Sequence, residues 1–113
     1  MIEIYHTGGG CMAYHVQEPD APGLYALITA PDGAALPENP EFDPMMIGVY
    51  REESSDNMGL TTLAGRLSLI EWYEEHVGYS PDEDIGGQTP ILELMDRVAS
   101  HLLLRAHAEK APV

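Results

Sequence analysis

Ile2-Glu3-Ile4-Tyr5-His6-Thr7-Gly8-Gly9-Gly10-Cys11-Met12-Ala13-Tyr14-His15-Val16-Gln17 sets the architecture of this chain. Two β-favouring runs flank a triple glycine, and glycine adopts the positive φ angles that tight hairpin turns require. With all three glycines in the loop, Ile2 faces Val16, Ile4 faces Tyr14 and His6 faces Met12, so that one face is almost wholly apolar. The other face pairs Glu3 with His15, Tyr5 with Ala13 and Thr7 with Cys11. A two-residue loop would slip the register by one, setting Cys11 opposite His6 and Ile2 against His15, a poorer hydrophobic match. The three-glycine register is therefore the expected one.

The sheet continues past a turn at Pro19 to Gly23. Leu24 to Ala30 reads as a third strand with few polar positions, as expected near a sheet centre. Residues 31–44 hold Pro31, Asp32-Gly33, Pro37, Pro40 and Pro44; proline cannot donate to a ladder, so this stretch reads as a long exposed loop. Met45 to Arg51 restores a strand with Met45, Ile47 and Val49 on one face, and Glu53 to Asn57 closes it with polar residues.

From Thr62 to Val77 the periodicity turns helical, with Leu63, Leu67, Ile70, Tyr73 and Val77 on one side and Ser68, Glu71, Glu74 and Glu75 on the other. Gly65 weakens such a helix by about 1 kcal/mol relative to alanine, while Gly78 and Pro81 mark its end. Thr89-Pro90, with Glu93 in the following turn, signals the start of a last helix reaching Ala108. Ile91, Leu94, Met95, Val98 and Leu102 point to the core, and Glu93, Arg97, His101, Arg105 and Glu109 form a solvated stripe of alternating charge. Leu92, Leu103 and Leu104 lie off the core stripe. They are either scattered surface leucines or an apolar contact for a homodimer or partner groove through this helix.

The expected fold is thus a single α+β domain over residues 1–113. Strands at 2–7, 11–17, 24–30 and 45–51 form a four-stranded antiparallel sheet, read as a 1-2-3-4 meander, with helices at 62–77 and 90–108 packed on one face. A chain of 113 residues suits one domain and buries roughly two thirds of its unfolded surface without staples. No apolar run approaches the length of a membrane-spanning helix. A single cysteine and an opening without a basic region or long apolar stretch point to a reducing compartment, and the cytoplasm is expected.

Nineteen acidic against five basic residues give a net charge of -14, which disfavours direct nucleic-acid binding because little could neutralise a row of phosphates. Fifteen of the acidic groups, but only Arg51 and Arg66 among the basic ones, lie between residues 18 and 84. The middle of the chain should therefore present a negative field.

Chemistry-bearing patterns are sparse. Asp82-Glu83-Asp84-Ile85-Gly86-Gly87 followed by Glu93 partly fits a calcium-binding helix-loop-helix, with Asp82, Asp84 and Glu93 at ligand positions and Gly87 at the sharp turn. Gly86 and Thr89 depart from the pattern, and the plainer reading is an acidic helix connection. Cys11 with His6 and His15 suggests a thiol nucleophile or a metal, but the preferred register separates them, and ordinary strand residues explain them better. The triple glycine lacks a phosphate loop's Lys-Ser/Thr ending. No catalytic set and no cofactor is expected.

The opening Ile4-Tyr5-His6-Thr7-Gly8-Gly9-Gly10-Cys11-Met12-Ala13 resembles the start of small proteins of phage and bacterial genomes to which no activity is attached. The likeness covers about a tenth of the chain; it implies a phage-type origin and assigns no functional residue.

The leading expectation is a non-catalytic interaction protein whose acidic middle meets a basic protein partner. Glu52, Glu53, Glu71, Glu74, Glu75, Asp82, Glu83 and Asp84 are the candidate contacts, with the 31–44 loop beside them. The alternatives are an inhibitor mimicking nucleic acid, which needs carboxylates at phosphate-like spacing on one side, and a calcium module. The plainest view of the acid is that it keeps the protein soluble.

Overall fold

The computed structural model describes residues 2–54, 56–78 and 89–110. Five strands come first: β1 (Ile2–Gly8), β2 (Cys11–Val16), β3 (Leu24–Thr29), β4 (Pro44–Arg51) and β5 (Asn57–Ala64). They precede α1 (Gly65–Val77) and α2 (Ile91–Lys110). The strands pair antiparallel in chain order, so the fold is α+β and the sheet is a meander.

The first hairpin keeps the expected faces but not the expected turn. Ile2 opposes Val16, Ile4 opposes Tyr14 and His6 opposes Met12; then the register shifts, and Gly8 rather than Thr7 opposes Cys11. Gly8, Gly9 and Gly10 have φ of 105°, 59° and 83°, a run that only glycine adopts without strain. The turn tightens onto Gly9-Gly10, and the irregularity before Gly8 takes up the slip.

The sheet has five strands where four were expected. From the sequence, Asn57 ends a polar closure, residues 58–61 belong to no element and Thr62 opens a helix, yet Asn57–Ala64 pairs with β4 from Tyr50↔Asn57 to Pro44↔Ala64. Thr61 and Thr62 are β-branched and stiff, favouring extended backbone, and β4 would otherwise leave a row of unpaired amides. Leu63, read as the first residue of a helical stripe, lies opposite Met45. The first helix therefore begins at Gly65, not Thr62. Gly65 has φ +82°, and a Cβ there would lie 2.6 Å from the Glu41 carbonyl oxygen, so this glycine is the corner between sheet and helix rather than a weak point within a helix.

That shift of origin changes the helical phase. α1 buries Leu69, Trp72 and Tyr73, whereas Leu67, assigned to the buried side, is 74% exposed. Gly78 ends the helix as expected, in the left-handed region with its N–H donating to the Glu74 carbonyl at 3.0 Å.

In α2, Leu94, Met95 and Val98 are buried as expected, joined by Ala99 and Leu103. The helix starts one residue late, the Pro90 carbonyl accepting from the Leu94 N–H. Leu103 belongs to the core and Leu104 and Leu102 are partly buried, leaving Leu92 exposed, so Leu92, Leu103 and Leu104 do not assemble the apolar patch on which a homodimer contact was based. His101 departs from the solvated stripe: it meets Tyr73 edge-on at 5.2 Å between the helices. The Glu93–Arg97 pair of that stripe forms at 3.5 Å.

The core lies between the helices and one face of the sheet, whose contribution is Val16, Leu24, Ala26, Ile28, Met45, Ile47 and Val49. Arg66 locks this arrangement: its guanidinium donates twice to the Glu41 carboxylate and once to the Thr89 carbonyl, each at 2.7 Å. The 31–44 loop is largely exposed as expected, but it is not loose. The Met12 N–H donates to the Ala34 carbonyl, the Ala30 N–H to the Ala35 carbonyl, and Pro37 is buried.

Candidate functional site: an aromatic cleft on the open face of the sheet

Because side chains alternate along a strand, the residues between those of the core point to the face without helices. Glu3 opposes His15, His15 opposes Leu27, and Tyr25 opposes Tyr50. Across four strands their rings form one ladder. Tyr5 stacks on His15 with centroids 4.3 Å apart, His15 on Tyr25 at 5.3 Å, and Tyr25 on Tyr50 at 5.5 Å, with interplanar angles of 18°, 21° and 25°. Such cross-strand pairs contribute roughly 0.2–1 kcal/mol each. Gly48 sits beneath the last ring, for a Cβ there would come within 2.5 Å of the Tyr50 hydroxyl.

Beside the ladder lies a cleft of about 570 Å³, lined by Tyr5, His15, Tyr25 and Leu27 together with Glu3, His6, Gln17 and Glu52. The Gln17 amide donates to one oxygen of Glu52 at 2.8 Å, fixing that carboxylate at the rim. Among the described residues Glu3 and Glu52 have no ion-pair partner, and no lysine or arginine lines the cleft. His15 is only 9% exposed, and its ring nitrogens have no hydrogen-bond partner among the described residues but are not sealed from solvent. Burial holds its pKa below the ordinary 6.5, against the pull of Glu3 and Glu52. Its imidazole is therefore neutral at pH 7, offering one acceptor and one donor nitrogen.

The expected acidic contacts are distributed otherwise. Glu52 lines the cleft and Glu53 is exposed in the β4–β5 turn, whereas Glu71, Glu74 and Glu75 are exposed on α1, whose buried side chains pack on the other face of the sheet. The fold brings Glu52 together with Glu3, which was not among the candidates, and not with the three glutamates of α1. Asp82, Glu83 and Asp84, and with them the calcium loop, lie outside the described residues; Glu93 is exposed and paired with Arg97. Among the described residues no group of three or more His, Cys, Asp or Glu side chains is placed to hold a metal. Cys11 is partly exposed and hydrogen-bonds no histidine, so the suspected thiol–imidazole pair does not form.

Tyr5, Tyr25 and Tyr50 were not singled out from the sequence. One signal was present: Tyr25 lies between the core residues Leu24 and Ala26, and Tyr50 follows the core residue Val49. Their alignment, however, depends on the registers of β2 with β3 and of β3 with β4, which the sequence did not specify. No helix among the described residues is long and apolar enough to cross a membrane. In comparisons with known proteins, no family model matches this chain, and neither a curated protein nor a solved structure matches it.

Proposed function

We propose that this chain is a non-catalytic binding protein that holds a basic protein partner on the open face of its sheet. The observation that carries the reading is the four-ring ladder, lying on a face without helices and edged by the unpaired carboxylates of Glu3 and Glu52. Aromatic faces attract cations, the more so as water is excluded, and carboxylates at the rim add to that attraction. The overall charge of -14 speeds encounter with a positively charged surface. The same rings would suit stacked nucleic-acid bases, but Glu3 and Glu52 repel phosphates, which makes RNA the less favoured ligand.

Calorimetric titration with a peptide alternating lysine, arginine and glycine, at low and moderate salt, tests this reading. Binding is expected to weaken with salt and to fall about tenfold in Tyr5→Ala, an exchange worth about 1.4 kcal/mol, but not in the double variant Glu74→Gln/Glu75→Gln on α1. Loss in the α1 variant alone would move the contact to the helix. Binding of polyuridylate in place of the peptide would overturn the proposal.

A further inference from the structure

The cleft holds three hydrogen-bond-accepting groups with unmet capacity beside the exposed ring of Tyr5. Glu3 lies directly opposite His15 in the β1–β2 register, Glu52 is steadied at the rim by Gln17, and His15 is nine-tenths buried without a hydrogen-bond partner among the described residues. Its ring nitrogens are not sealed in the core but stay open to the cleft, where a ligand's donor can reach them. Tyr5, stacked on one side of His15, is 49% exposed, leaving aromatic surface accessible beside those acceptors.

We infer that the open-face cleft receives the guanidinium of an arginine side chain of the protein partner, laid against the exposed aromatic surface and donating to Glu3, Glu52 and His15. This rests on the binding reading above and narrows it to one side chain. A guanidinium is planar, weakly hydrated and carries five N–H donors in a rigid fork, so it stacks on rings while its edge serves carboxylates and an imidazole together. A lysine ammonium is a compact, strongly hydrated charge with three donors and no plane to stack. An uncharged side chain of the same shape would leave the two carboxylates without a counter-charge.

The test uses the full chain and three peptides of one sequence, carrying arginine, lysine or citrulline at a single position between glycines and serines, titrated by calorimetry. The arginine peptide is expected to bind about tenfold more tightly than the lysine peptide and more tightly still than the citrulline peptide. His15→Phe keeps a ring in the ladder but removes the nitrogens, and should bring the arginine-to-lysine ratio close to one; Glu52→Gln, at the exposed rim, should weaken the arginine peptide several-fold without lowering the melting temperature. Equal affinity for arginine and lysine peptides, or an arginine preference that survives His15→Phe, overturns this inference and leaves the broader binding reading standing. Equal binding of the citrulline peptide overturns the cationic reading as well, and failure of all three together with the lysine–arginine–glycine peptide removes both.

Discussion

The imidazole of His15 lies nearly parallel to the phenol of Tyr5, with centroids 4.3 Å apart and planes inclined by 18°. β1 is thereby joined to β2 through side chains as well as through the ladder of amides. Burial lowers the His15 pKa from 6.5, with Glu3 and Glu52 opposing. The folded chain thus favours the neutral ring, while the unfolded chain takes up a proton at the ordinary value. The stability this preference supplies is complete above about pH 6.5 and is lost as pH falls through that value toward the lower folded pKa. The urea midpoint of the wild-type chain should therefore fall relative to that of His15→Phe as pH drops from about 7.5 to about 5.5; a constant difference would show that His15 does not titrate in this way.

The Glu41–Arg66 pair responds at lower pH. The two hydrogen bonds from Arg66, with its charge, hold the Glu41 carboxyl below its ordinary value near 4.5. Its contribution to stability is present above that value and is lost as pH falls through the depressed folded pKa. The stability gap between the wild-type chain and Glu41→Gln should narrow below about pH 4.5, as followed by chemical denaturation.

Gly65→Ala tests the corner between β5 and α1. The φ of +82° disfavours any Cβ, and the nearest atoms are backbone, the Glu41 carbonyl oxygen at 2.6 Å and the Phe42 Cα at 2.9 Å, which cannot swing aside. A loss of about 1–3 kcal/mol is expected from strain alone, read from the urea midpoint, whereas a helix beginning at Thr62 would make the same change stabilising by about 1 kcal/mol.

Gly48→Ala should separate the ladder from the fold. The obstructing atoms are the far end of Tyr50, the hydroxyl at 2.5 Å and ring carbons at 2.8 Å, so the ring can move while the strand stays. The melting temperature should change little, whereas near-ultraviolet circular dichroism of the tyrosines should fall as Tyr50 leaves Tyr25. An unchanged spectrum would mean that Tyr50 is not held over Gly48.

Helix phase can be read from leucine truncations. Leu69→Ala and Leu103→Ala, both with no exposure, should each cost about 2–5 kcal/mol. Leu67→Ala, at a position 74% exposed, should stay within about 0.5 kcal/mol of the wild-type chain. The reverse ranking would restore the phase expected from the sequence.

The local signals of this chain carried a good deal of the fold. Three glycines with positive φ, the alternation of Ile2, Ile4, Tyr14 and Val16, the prolines of the 31–44 loop, Gly78 and the Leu94-Met95-Val98 stripe each express a constraint acting within a few residues. That is why the meander, its first four strands and the α+β class were legible. The candidate site was not, because Tyr5, His15, Tyr25 and Tyr50 are separated by up to 45 residues and meet only through the registers of three strand pairs.

β5 shows where local reasoning stops. Thr62 to Ala64 can be read as the opening of a helix, whereas the extended form of Asn57–Ala64 follows from the open edge of β4 that it covers, a demand made by another part of the chain. The glutamates follow the same rule: their abundance is a property of the sequence, but Glu3 and Glu52 share a rim while Glu71, Glu74 and Glu75 sit on α1. Backbone conformation answers to neighbours in the chain, whereas the convergence of functional side chains answers to packing, because burying one face of the sheet under two helices leaves the other to gather whatever the alternation places there.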